Sequence, residues 1–190
     1  MRADARQNHD RLLEVAARHF SADGDDASMK AIAKEAGVGI GTLYRRFPTR
    51  ETLIEATYRS ESARLAEAAP ALLHDHPPAQ ALRSWAGLFL DYMATKRGMA
   101  GALKALLTAD EPLRLSTREL LIDALATLLR AGEEAGDIRP GLDATDVVMA
   151  LGGFAMIIGE QAQPQLRDRL LDLLLHGLAQ ALPSGLPITS

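Results

Sequence analysis

Cysteine is absent from the 190 residues. That removes disulfide frameworks, thiolate metal sites and cysteine nucleophiles together. Aromatic residues make up only 4% of the chain, and strand-like alternation of apolar and polar residues is hard to find, which turns attention to helices. Long apolar runs are missing too. The uncharged, apolar stretch Val147–Gly159 falls well short of the roughly 20 apolar residues that span a bilayer. The opening Met1-Arg2-Ala3-Asp4-Ala5-Arg6 lacks the apolar core of a signal peptide. A soluble, cytoplasmic, all-α protein is therefore expected, long enough for one medium domain or two small ones sharing a continuous core.

The formal net charge of −4 argues at first against nucleic acid, but its distribution reverses that impression. From Ala27 to Arg50 the cations Lys30, Lys34, Arg45, Arg46 and Arg50 face Glu35 alone, a local +4 that leaves −8 for the remainder. A cationic patch on an acidic body can bind phosphates and orient the molecule while the body resists indiscriminate wrapping.

Those cations sit in the most informative stretch of the chain, Ser28 to Phe47, which reads as two short helices joined by a tight turn. Ser28 is a good N-cap for the first of them, and Ile32, Ala33 and Ala36 form its apolar stripe. Gly37 follows where a helix end often needs positive φ, which glycine adopts without steric cost. Ala33 is small enough to let a second helix cross closely. Leu43 and Phe47 give that second helix its inward face, leaving Thr42, Arg45 and Arg46 pointing outward together. Small polar and guanidinium groups on a braced helix are what reads a DNA major groove.

Residues from about Asp10 to Glu55 resemble the DNA-binding domain of the TetR/AcrR family of bacterial transcriptional regulators. The resemblance is carried by Phe20 ending an amphipathic helix, Ile32-Ala33 before Gly37-Val38, Gly41-Thr42-Leu43-Tyr44, Phe47-Pro48, and Arg50-Glu51 before Leu53. The family often has histidine where this chain has Arg46 and lysine where it has Arg50; both changes keep a phosphate donor. Asp91-Tyr92-Met93-Ala94-Thr95-Lys96-Arg97-Gly98-Met99 is similar to the C-terminal domains of the SbtR-like group within that family. The resemblance implies about nine helices: an N-terminal helix-turn-helix domain over residues 1–50 and an effector-binding and dimerisation domain over 51–190.

Periodicity places a first helix over Asp10–Ala22 and a fourth, capped by Thr49, from Arg50 to about Glu67. The Pro70–Pro78 segment is the clearest boundary. A fifth helix is expected over Ala79–Thr95, a sixth over Ala102–Thr108 and a seventh over Leu115–Ala135, ending at Gly136. Asp143 or Asp146 would cap an eighth that runs to about Gln161. Pro164 would open a ninth that reaches about Leu182, with a frayed tail after Pro183.

The eighth helix is apolar on nearly every side and the ninth is crowded with leucine, so both need more cover than one small domain supplies. A homodimer joined through a four-helix bundle meets that need, with Leu151, Ala155, Ile158, Leu171, Leu174 and Leu178 at the interface. The family resemblance implies the same assembly. A small-molecule effector site is expected among Trp85, Phe89, Tyr92 and Met93 on the fifth helix, Met99, Leu103 and Leu107 around the sixth, and Leu121 and Leu125 on the seventh. The same residues at the same spacing also describe ordinary helical core.

Other constellations carry less. Gly37-x-Gly39-x-Gly41 follows a helix rather than a strand, so it is no dinucleotide loop. His74-Asp75-His76 reads as a solvated loop rather than a metal site, and His9, His19 and His176 suggest no catalytic set. Neither cofactor, metal nor catalytic residue is expected. The function expected is a ligand-responsive transcriptional regulator, most simply a repressor that binds a palindromic DNA operator as a homodimer and is released by a small molecule. Base edges would be read by Lys30, Ile40, Thr42 and Arg45. Phosphates would be held by Ser28, Tyr44, Arg46 and Arg50, with amides at the start of the fourth helix. An activator, an architectural protein, or a helical-bundle enzyme or carrier with a relic helix-turn-helix are the rival readings.

Overall fold

The computed structural model describes residues 2–160 and 164–179, and every regular element among them is helical. The order is α1 (Arg2–Asp23), a single 3-10 turn (Gly24–Asp26), α2 (Met29–Ala36), α3 (Ile40–Arg46), α4 (Arg50–Asp75), α5 (Pro78–Gly98), α6 (Ala100–Ala109), α7 (Glu111–Ala135), α8 (Ala144–Glu160) and α9 (Pro164–Ala179). The expected ends at Gln161 and Leu182, and the tail after Pro183, lie outside the described residues.

Several boundaries differ from the sequence expectation. α1 begins at Arg2 rather than Asp10. α4 runs through Pro70 to Asp75 instead of stopping near Glu67. A proline inside a helix forfeits one hydrogen bond, but Pro70 is exposed, so solvent can take the place of the lost donor. The helix stops instead before His76-Pro77, where the residue preceding a proline is pushed out of helical conformation, and Pro78 opens α5 at the position that tolerates it best. α7 starts at Glu111 because the Asp110 carboxylate caps it, accepting the Leu113 amide at 2.9 Å. Asp143 takes the cap of α8, accepting the Thr145 amide at 2.6 Å. That bond holds its carboxyl below the usual aspartate value.

The chain divides into two compact units: Met1–Ala66 with Asp91–Leu121, and Glu67–Leu90 with Ile122–Ser190. In the first, Phe20, Ile32, Leu43, Leu53, Met99 and Leu103 are fully buried. Burial of each such side chain contributes on the order of 1.5–3 kcal/mol. In the second, Trp85, Leu125, Leu128 and Leu151 form the core, with the Trp85 and Phe89 rings 5.7 Å apart. α7 ends as expected at Gly136, whose φ of 78° turns the chain back. Ile138 then packs against Gly132, where a Cβ would lie 2.3 Å from the Ile138 Cδ1.

α8 packs on α9. Four of the residues expected at a dimer interface, Leu151, Ala155, Leu171 and Leu178, are already buried in the single chain; Ile158 and Leu174 remain partly exposed. Apolar side chains still face outward, but from the other side of these helices: Met149 is 63% exposed, Met156 65%, Ile157 46% and Leu173 67%. A helix that is apolar all round gives no periodic signal for which face its own chain covers.

Candidate nucleic-acid interface

The Ser28 hydroxyl oxygen accepts the Ala31 amide at 3.4 Å and so caps α2. The O–H itself stays free to donate. Ile32, Ala33 and Ala36 are buried, and Gly37 ends the helix at φ 74°, with the Val38 amide donating to the Ala33 carbonyl at 2.9 Å. This left-handed closure explains the glycine. Gly39 then starts α3, its carbonyl accepting the Thr42 and Leu43 amides at 2.9 and 3.0 Å. Leu43, fully buried, and Phe47, 6% exposed, anchor α3 from within.

What those anchors leave outside is the reading face. Lys30, Thr42, Arg45 and Arg46 are exposed, as are Ile40 and Tyr44 at 42% and 47%. Among the described residues none of Lys30, Lys34, Arg45 and Arg46 is in an ion pair. Glu35, the one anion of this stretch, is turned back onto α1. It meets Arg18 at 2.7 Å and His19 Nε2 at 2.8 Å, and hydrogen bonds from those two side chains hold its carboxyl below the usual range. Glu35 therefore pairs with α1 and not with the cations of α2 and α3.

The start of α4 departs from expectation. Thr49 and Thr52 cap each other, each hydroxyl taking the other's amide at 3.2 Å. The Glu51 carboxylate is held low by its own backbone N–H and by Thr49. The amides of Thr49, Glu51 and Thr52 are thus taken up within the first turn. Arg50 does not present itself to solvent either. It is half-buried, donates to the carbonyls of Ala27 and Gly24 (the latter at 2.9 Å), and lies over the Phe20 ring at 5.1 Å. Arg50, expected among the phosphate contacts, thus makes internal contacts in this structure.

His9 is a residue that sequence reasoning passed over. Its ring stacks on Phe47 at 6.0 Å and 16° between planes, bracing the end of α3 from α1. Its partner lies far along the chain, and no local pattern announces it.

The expected effector residues fall in both units. Tyr92, Met99, Leu103 and Leu121 are buried in the first, with Met93 and Leu107 partly exposed; Trp85, Phe89 and Leu125 are buried in the second. Around Tyr92 the first unit holds a polar group. The Tyr92 hydroxyl lies 3.2 Å from the Ser62 hydroxyl, Arg64 meets Glu61 at 2.7 Å, and Lys96 Nζ sits over Tyr58 at 5.9 Å. Burial raises the Tyr92 phenol and the Glu61 carboxyl and lowers the Lys96 amine. Among the described residues no cluster of three or more His, Asp or Glu could hold a metal ion, His74-Asp75-His76 included. No helix there is long and apolar enough to cross a membrane.

A short helix with unpaired cations, braced by two others through buried apolar side chains, defines a helix-turn-helix DNA-binding protein. Residues 12–57 match the family model of the bacterial regulatory proteins of the tetR family, and residues 77–180 match that of the transcriptional regulator SbtR-like C-terminal domain. The chain is similar over 91% of its length, at 46% identity and a TM-score of 0.82, to 99% of the TetR transcriptional regulator SCO0520 from Streptomyces coelicolor. A TetR regulatory protein from Mycobacterium vanbaalenii is 29% identical over 94% of this chain and 99% of that one, with a TM-score of 0.73. HTH-type transcriptional regulators of Staphylococcus aureus are 46% identical over 54 residues, 28% of this chain and only 29% of theirs. The chain belongs to the TetR family of DNA-binding transcriptional regulators. Family and fold are those of regulators rather than of enzymes.

Proposed function

We propose that this protein is a homodimeric repressor that binds a palindromic operator in the cytoplasm and is released by a small molecule bound in its C-terminal domain. One observation carries the reading: the exposed, unpaired cations of α2 and α3 on a support fixed by Leu43 and Phe47. Lys30, Ile40, Thr42 and Arg45 supply base-edge contacts, with Ile40 against a thymine methyl and Arg45 forked onto a guanine. The Ser28 hydroxyl, Tyr44 and Arg46 hold phosphates and set register. The exposed apolar residues Met149, Met156, Ile157 and Leu173 on α8 and α9 support a second copy as partner, because a charged or aqueous neighbour would leave them uncovered. A small molecule releases DNA only through a difference in its affinity for the two states. Trp85, the one tryptophan, is fully buried and serves as a reporter.

Selection of bound duplexes from a random pool tests the reading. A two-fold symmetric consensus bound by a dimer, in steep dependence on salt, is expected. Enrichment of no sequence would overturn it. Addition of a metabolite panel should yield compounds that shift Trp85 fluorescence and release the operator over one concentration range.

A further inference from the structure

We propose that Arg50 is a positioning residue rather than a phosphate ligand: it fastens the Gly24–Ala27 turn, which is seated on Gly98, and so fixes where α2 and α3 stand. The inference rests on the DNA-binding reading above and deepens it.

All three contacts of the guanidinium fall on one short piece of chain. Its two terminal nitrogens donate to the carbonyls of Gly24 and Ala27, and its plane lies 5.1 Å from the centre of the Phe20 ring. Gly24 has a φ of 57° and Ala27 is 3% exposed. Ser28, the cap of α2, comes next. Fixing these two carbonyls therefore fixes the point from which α2 departs. Only a planar fork can hold two carbonyls and stack on a ring at once; an ammonium keeps the charge but not that geometry.

The end of α1, just before the turn, rests on the corner between α5 and α6. A Cβ on Gly98 would lie 1.8 Å from the Phe20 carbonyl oxygen and 3.2 Å from the Ser21 Cα. These are backbone atoms, so no rotamer change relieves the collision, and the end of α1 rests directly on residue 98. One on Gly101 would lie 3.3 Å from the Asp25 carboxylate. Arg50 thus grips the turn, and Gly98 the end of α1 that leads into it, where a Cβ on Gly24 would lie 3.7 Å from the Gly98 carbonyl oxygen. Looseness at either should misplace the reading face by enough to cost affinity, with no phosphate contact removed.

The full-length dimer, with Arg50→Ala, Arg50→Lys and Gly98→Ala variants, tests this on the selected operator and on an unrelated duplex. We expect each variant to lose about tenfold in operator affinity. Affinity for the unrelated duplex should hold within about twofold and the salt slope should not change. Gly98→Ala alters no charge, so its loss can come only from the seat. Should that variant fail to fold, Arg50→Lys decides alone. Wild-type operator affinity in Arg50→Lys, or a salt slope reduced by about 0.9 in Arg50→Ala, would make Arg50 a phosphate ligand and overturn the proposal. A wild-type protein without any sequence-specific duplex would instead sink the DNA-binding reading, a separate failure.

Discussion

The imidazole of His9 lies flat against the ring of Phe47, with 6.0 Å between centroids, and its Nδ1 is shut off from solvent without a hydrogen-bond partner. Burial first, and the nearby Arg46 second, lower its pKa from the ordinary 6.5, with Asp10 acting in the opposite sense. The folded protein takes up this proton less readily than the unfolded chain. Its contribution to stability is complete above the unfolded value of about 6.5 and is lost as the pH falls below it. Melting temperature should therefore drop between pH 7 and 5.5 more steeply in the wild type than in His9→Phe, which keeps the stack and cannot titrate. Parallel pH profiles would clear His9 of any part in acid sensitivity.

Arg45 and Arg46 are neighbours with different expected roles. Arg45→Ala should weaken operator binding by about 1–3 kcal/mol and relax the preference at one base pair. Arg46→Ala should weaken all duplexes alike and flatten the salt dependence. Titrations on operator, single-substitution operators and random duplex distinguish the two; an identical pattern for both variants would show that the division between base and phosphate contacts is misdrawn.

Two substitutions inside the reading domain differ in size rather than kind. Leu43 is fully buried, and Leu43→Ala should cost about 2–5 kcal/mol through lost burial and the cavity left behind. Ser28→Ala removes only a cap, worth about 1 kcal/mol. Denaturant unfolding ranks them. A Leu43→Ala loss below that of Ser28→Ala would mean that α3 is not anchored through this side chain.

The outward apolar face gives a clean test of assembly. Met156 and Leu173 are each about two-thirds exposed, so Met156→Glu or Leu173→Glu should leave a single chain folded within about 0.5 kcal/mol. In a dimer the same charge would be buried without a partner. Sedimentation should then show folded monomers that have lost operator binding. Ala155→Glu, by contrast, strikes the interior of one chain and should lower the melting temperature. Dimers surviving both exposed-face variants would place the contact elsewhere.

Local chemistry was legible in the sequence wherever one residue type answers one backbone need. Ser28 before α2, Gly37 at φ 74° and the Leu43–Phe47 spacing all stand as their residue types demand. Family membership was legible from the same stretch. What could not be read was which partner a side chain chooses across sequence distance. Arg50 has the charge of a phosphate ligand, yet it meets carbonyls more than twenty residues earlier. His9 finds Phe47 only because α1 extends beyond its expected start. Pro70 misled for another reason: an exposed helix face can absorb a missing donor that a buried one could not. In α8 the apolar pattern was plain, but composition cannot say which side a helix turns toward its own chain.

The seat at Gly98 also bears on the order in which the chain acquires its shape. The ion pairs of Glu35 close loops of only 16 and 17 residues, to His19 and Arg18, and the caps of α2 and α4 are shorter still. Such contacts have little loop-closure entropy to overcome and form early. Phe20 cannot meet Gly98 until some eighty further residues have left the ribosome, which domains generally follow from the N-terminus. A nascent chain would thus own a locally formed reading helix before it owns the rest that aligns it. On the proposal above, competence to recognise an operator would arrive only with the α5–α6 corner, and truncation just short of that corner should abolish discrimination among DNA sequences.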